Sequence, residues 1–174
     1  MPPVEALKEW HEFFLLLGTA GATLLALLFV AVSLGTGYLT EQRQAGTRTF
    51  MSPVVIHFAT VFFISSIALV PSHRAPFFAT LVGATAAIGI AVSTFITREV
   101  IRTDMTGDWR DYLAYGLLPA LSYLGQLVAA VMIYLENGYA LDMLGGALLL
   151  LALINIRNAW DLTLTMVRRH PGGG

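Results

Sequence analysis

The sequence predicts an all-α, polytopic membrane bundle of five transmembrane helices. Three observations carry this. Of the 174 residues, 56% are hydrophobic and only 12% are charged, against about 25% charged in an ordinary soluble domain. The apolar residues fall into five long runs separated by short polar links. Each run approaches the ~20 residues that a helix needs to cross a hydrocarbon core. A chain this short cannot clothe a water-facing surface with so few charges, so its solvent is lipid.

The same composition excludes several classes of function. With a net charge of −1 and no Lys/Arg cluster among aromatics, nucleic acid is not an expected partner. There is no Cys, hence no disulfide, thiolate nucleophile or Cys-held metal. No H-E-x-x-H, G-x-S-x-G or phosphate-cradling Gly-rich loop occurs. Neither a metal nor a cofactor is expected. His11 and His73 are assigned to the outer surface without a carboxylate pair, and His57 has no second axial ligand for a haem.

Residues 1–12 read as an interfacial segment, with Trp10 at headgroup level. The first helix is expected over 13–39, too long for a signal-peptide core and preceded by acidic residues, so it reads as a retained span. Gly18, Ala22 and Ala26 recur every four residues on it, the spacing that lets membrane helices approach closely. Residues 40–51 read as a polar loop. Ser52-Pro53 then supplies an N-cap and a first-turn proline for a helix over 52–71 that carries His57. The brief link to Pro76 makes a hairpin with a third helix over 76–97, where Gly83, Ala87 and Ala91 repeat the small-residue stripe.

The segment 98–111 reads as a charged cytoplasmic loop. Its Glu99, Asp104, Asp108 and Asp111 interleave with Arg98, Arg102 and Arg110 in the manner of a solvated helix-turn, and Trp109 reads as an interfacial anchor. A fourth helix over 112–135 holds Tyr115, Pro119, Tyr123 and Gln126. Glu136-Asn137-Gly138 turns into a fifth over 139–167, and 168–174 forms a cytoplasmic tail. Two of the chain's basic residues outside the spans, Lys8 and Arg74, fall on the N-terminal side. Arg43, Arg48, Arg98, Arg102, Arg110, Arg168 and Arg169 fall on the other. The positive-inside rule then gives N-out, C-in.

The candidate site is a polar stretch in the last helix, Asn155-Ile156-Arg157-Asn158-Ala159-Trp160-Asp161. On a helical wheel Arg157, Asn158 and Asp161 share an arc of about 100°, with Leu149, Leu153, Ile156 and Trp160 opposite. Counted from residue 167, Asp161 lies roughly 9 Å and Arg157 roughly 15 Å deep. As i,i+4 neighbours the two can neutralise each other. Level counting puts His57 beside Asp161 and Tyr123 beside Arg157. The expected buried polar cluster is therefore His57, Tyr123, Asn155, Arg157, Asn158 and Asp161.

The leading functional expectation is a homo-oligomeric ion channel or pore with this Arg/Asp/Asn face on its path. One alternative is a non-catalytic scaffold or regulator of another membrane protein, with the polar face locking helices together. Another is a small membrane enzyme with His57 and Asp161 as its acid–base pair. The expected partners are the lipid bilayer, further copies of the chain and an ion. The small-residue first span and Asn-rich last span resemble those of small bacterial membrane proteins, which implies a bacterial inner (plasma) membrane location.

Overall fold

The structure is a computed structural model that describes residues 6–36, 41–71, 74–103 and 113–168. It is all-helical, with no strand among the described residues. Five helices follow in order: α1 His11–Thr36, α2 Glu41–Ala68, α3 Ala75–Thr103, α4 Leu118–Tyr134 and α5 Ala140–Arg168. A π-helical turn, Leu113–Leu117, leads directly into α4. Four apolar stretches are long enough to cross a membrane: His11–Ala31, Ala75–Arg98, Leu113–Tyr134 and Ala140–Asp161. In α2 the apolar part, Pro53–Ala68, is shorter.

The main difference from the sequence expectation lies in α2. Residues 41–51 are helical rather than a loop, and Pro53 sits inside the helix rather than at its first turn. Glu41, Gln42, Arg43, Gln44 and Ala45 are good helix formers. Pro53 removes a single N–H bond, to the Thr49 carbonyl, and at the polar end of the helix water can replace it. Likewise α3 continues to Thr103, past the expected end at 97. The acidic positions 104, 108 and 111 and Trp109 of the expected charged loop, and the tail from 169 onward, lie outside the described residues.

Helices consecutive in the chain run antiparallel, and close approaches fix their register. At Gly18 an added Cβ would lie 3.0 Å from the Ser65 Cβ, and at Gly21 it would lie 3.4 Å from the Phe62 nitrogen. These two contacts seat α1 on α2. Gly83 faces Ala130, Gly89 faces Tyr123 and Gly116 faces Thr97, which aligns α3 with α4. Gly125 meets Ala147 between α4 and α5. In the remaining seams α5 also touches α2 and α1, and α2 touches α3. The core they enclose includes Phe14, Phe78, Val82, Ile133, Leu141, Leu144, Leu148 and Leu151, all buried.

The small-residue stripes are only partly where the spacing placed them. Gly18 is buried, Ala22 and Gly83 are half-buried, and Ala26, Ala87 and Ala91 are exposed. A four-residue repeat drifts about 40° round the helix at each step. The buried seams instead follow mixed three- and four-residue steps, through Gly18, Gly21 and Leu28 on α1 and through Val82, Ala86, Gly89 and Ser93 on α3.

The α4–α5 turn is a Schellman motif. The Asn137 N–H donates to the Met132 carbonyl at 2.9 Å and the Glu136 N–H donates to the Ile133 carbonyl at 3.0 Å. Glu136, with φ of 54°, takes the left-handed position that glycine usually fills. The Asn137 Oδ1 accepts the Tyr139 N–H at 2.9 Å and closes the turn.

Candidate functional site: a buried polar column

The polar groups inside the bundle come from α2, α3, α4 and α5. On α4, Tyr123 is fully buried because α3 presents a glycine to it. A Cβ at Gly89 would fall within the Tyr123 ring. The ring therefore reaches past α3 to α2, where its hydroxyl lies 2.7 Å from the His57 Nδ1 and 3.3 Å from the Thr60 Oγ1. Thr60 also donates to the Ile56 carbonyl of its own helix at 2.9 Å. Both His57 and Tyr123 are 1% exposed or less.

Towards the end of the bundle formed by the C-terminal half of α5, the asparagines take over. The Asn155 Nδ2 donates to the Val54 carbonyl at 2.8 Å. The Asn158 Nδ2 donates to the Ala114 carbonyl, in the π turn, also at 2.8 Å. The Tyr115 hydroxyl lies 3.3 Å from both the Asn158 carbonyl and the Asp161 Oδ2, and it has one hydrogen to give. Arg157 Nη1 donates to the Asn158 Oδ1 at 3.2 Å.

These contacts set the levels of the polar groups. Asn155 sits level with Val54, and Gly125 sits level with Ala147. Carried along antiparallel helices, this register puts Gln126, the Tyr123–Thr60 pair, His57, Asn155, Asn158 with Tyr115, and Asp161 on successive levels. The levels are about 4.5 Å apart, and the column is about 22 Å long. Ser93, one turn beyond Gly89 on the buried face of α3, falls at the level of His57. On the far side of Gln126 the interior is mostly apolar, closed by Phe14, Phe78, Ile133, Leu141 and Leu144, with the buried Ser65 hydroxyl against Gly18 as its polar exception.

Several buried atoms of the column have no hydrogen-bond partner: both amide atoms of Gln126, the Asn155 Oδ1 and the Ser93 Oγ. Burying a polar group without a partner costs about 1–3 kcal/mol. Four such atoms in one interior mark a place built to hold water or another hydrogen-bonding guest. Among the described residues no formally charged side chain is buried, and no cluster of His, Asp or Glu is arranged to hold a metal.

Of the six residues expected to cluster, the structure joins His57 to Tyr123 and seats Asn155 and Asn158 on the neighbouring backbone. His57 and Asp161 are not level. They are separated by about nine residues of rise, or about 13 Å. Counting from 52 on α2 and from 167 on α5 misses this because those two ends are not level: the Asn155–Val54 bond sets the register between the helices. Arg157 is exposed on the surface of the single chain and Asp161 is half-buried. The apolar stretch of α5 ends at Asp161 rather than near 167. That leaves Arg157 only about 6 Å from its end, within reach of headgroups for a snorkelling side chain. Exposed Trp160 beside it fits the same interfacial level.

The expected outer face of α5 is present, with Leu149, Leu153, Ile156 and Trp160 exposed. Trp10 packs against Gly145 and Phe13, so the ring braces α1 on α5. Thr60, Tyr115, Ser93 and Gln126 were not anticipated as part of the site. The available signal was Gln126 itself, a carboxamide in an apolar run three residues from Tyr123 and so on a neighbouring face.

Length, apolarity and a polar interior together fit an integral membrane protein of the helical-bundle class. No protein-family model matches the chain, and neither does any curated protein or solved structure.

Proposed function

We propose that the chain is the protomer of a homo-oligomeric channel in a bacterial inner membrane, with five crossings, N-terminus out and C-terminus in. The observation that carries this reading is the column from Gln126 to Asn158, a file of buried polar side chains with four unpartnered atoms that ends at half-buried Asp161. Such a file is costly in a dry bundle and useful along a path. The apolar layer of Phe14, Ile133, Leu141 and Leu144 then acts as a gate that conducts only when wetted. Ala26, Ala87 and Ala91, small and exposed on the single chain, supply surfaces for close contact with further copies. The basic residues on the C-terminal side support the orientation.

Purified protein in liposomes tests the reading by ion flux under an imposed potential. The expected result is flux above that of protein-free vesicles, reduced by Gln126→Leu. Absence of flux for protons, potassium and chloride alike, from folded and inserted protein whose apolar layer is opened by Leu144→Ser, refutes it. A second reading, a membrane scaffold, is favoured by the side chains of Asn155 and Asn158, which bond backbone carbonyls of neighbouring helices. That reading predicts folded protein without flux and loss of stability on replacing either asparagine.

A further inference from the structure

We infer that the species the column carries is the proton, passed through His57 and Tyr123; this rests on the channel reading above. A hydrated potassium or chloride ion needs a lumen or a ring of ligands to replace its water. His57, Tyr123 and Gln126 are themselves 0–1% exposed and present no ring of ligands. No formally charged side chain is buried among the described residues to select an ion by charge. A proton needs only an unbroken series of groups that both accept and donate.

The geometry supplies the central links of that series. Thr60 has its hydroxyl hydrogen on the Ile56 carbonyl, so it accepts from Tyr123 in one arrangement: His57 Nδ1–H to Tyr123, Tyr123 O–H to Thr60. In the other arrangement Tyr123 donates to the His57 Nδ1 across the same 2.7 Å, and the imidazole hydrogen sits on Nε2. Interconversion of the two moves a proton along the file. The imidazole takes a proton on Nε2 from water on the Asn155 side and releases the Nδ1 proton to the Tyr123 oxygen. The hydrogen that Tyr123 already carried turns away from Thr60 and leaves towards Gln126, one level on, whose carboxamide atoms are unpartnered, with a water as the carrier across that gap. One proton enters and one leaves. Rotation of the hydroxyl and tautomer exchange of the ring restore the start, and nothing is oxidised or reduced. Asp161 and Tyr115 stand at the mouth of the column, where protons enter from solvent.

The test uses the full chain in liposomes loaded with a pH-sensitive dye, with potassium and valinomycin setting the potential. Potassium and chloride flux are measured in parallel vesicles. Because the gate is apolar, Leu144→Ser is included to wet it. The expected result is proton flux without potassium or chloride flux, raised at least tenfold by Leu144→Ser. In that background Tyr123→Phe, which keeps the ring against Gly89 and removes the hydroxyl, lowers proton flux at least tenfold in protein that remains folded and inserted, with a lower melting temperature because the buried His57 Nδ1 loses its partner. His57→Gln does the same. Potassium or chloride flux equal to proton flux overturns the proton assignment and leaves the channel reading standing. So does proton flux indifferent to Tyr123→Phe. No flux of any ion from folded Leu144→Ser protein overturns both.

Discussion

The replacement Gly89→Ala tests the structural basis of the column most directly. One methyl at this position would fall within the Tyr123 ring, and the ring, being fully buried, has no free space to retreat into. Overpacking of this kind costs about 1–3 kcal/mol. Displacing the ring also separates its hydroxyl from His57 and leaves a buried imidazole nitrogen without its partner, another 1–3 kcal/mol or so. The expected loss is therefore about 2–6 kcal/mol, read as a lower midpoint in reversible denaturation in detergent. Gly146→Ala is the control: a Cβ there meets nothing within 4 Å. Higher helix propensity should leave that variant neutral or more stable by up to about 1 kcal/mol. The double variant Gly89→Ala/Tyr123→Leu, in which a smaller side chain makes room for the methyl, should be less destabilised than the two single changes added together. Gly89→Ala within about 0.5 kcal/mol of the parent would show that the ring is not wedged against α3, and the His57–Tyr123 register would fall with it.

Three further outcomes are expected. Asn158→Ala removes the donor to the Ala114 carbonyl and should cost about 1–3 kcal/mol, with faster hydrogen exchange localised to 113–117 by mass spectrometry; exchange unchanged there would deny Asn158 its part in holding the π turn. Glu136→Gly places at the left-handed position the residue that tolerates it and should stabilise by roughly 0.5–1 kcal/mol in a thermal melt; a lower melting temperature contradicts the Schellman assignment. The chain contains no Cys, so Ala91→Cys gives a single thiol on the exposed face of α3. Oxidation in membranes should yield a disulfide-linked dimer, whereas Thr19→Cys, on an exposed face of α1 away from that stripe, should cross-link less. Equal yields would remove α3 as the contact between copies.

Much of the fold was legible because lipid imposes simple demands. An apolar run of the right length must be a helix, and the lipid-facing back of α5, with Leu149, Leu153, Ile156 and Trp160, follows from a 3.6-residue wheel. The N-terminal extension of α2 was hidden by Ser52-Pro53, a strong start signal that a Pro-tolerant helix overrode. The site was legible only as a set of candidates. Whether His57 meets Asp161 or Tyr123 depends on the vertical offset between α2 and its neighbours. Close contacts such as Gly89 on Tyr123 set that offset, and each of them depends on two distant residues at once. The depth of Arg157 depended on where the membrane ends along α5. A shift of six residues in that end moves the side chain from mid-bilayer to headgroup reach. The buried role of Gln126 was missed because one amide in an apolar run has no periodicity to announce it.

The short apolar part of α2 has a consequence for how the chain enters the membrane. From Pro53 to Ala68 it covers about 24 Å, less than a typical hydrocarbon core of about 30 Å, and it brings His57 and Thr60 with it. Alone it would gain little by leaving the translocation machinery. Thr60 bonds the Ile56 carbonyl of its own helix, but the His57 imidazole gains its partner only when Tyr123, two helices later in the chain, arrives beside it, and the close seam of α2 with α1 exists as soon as both are made. During synthesis α2 is thus held first by α1 and by its hairpin with α3, and it is completed by α4. A nascent chain halted before α4 would leave an imidazole unpartnered in lipid, a state recognisable to membrane quality control.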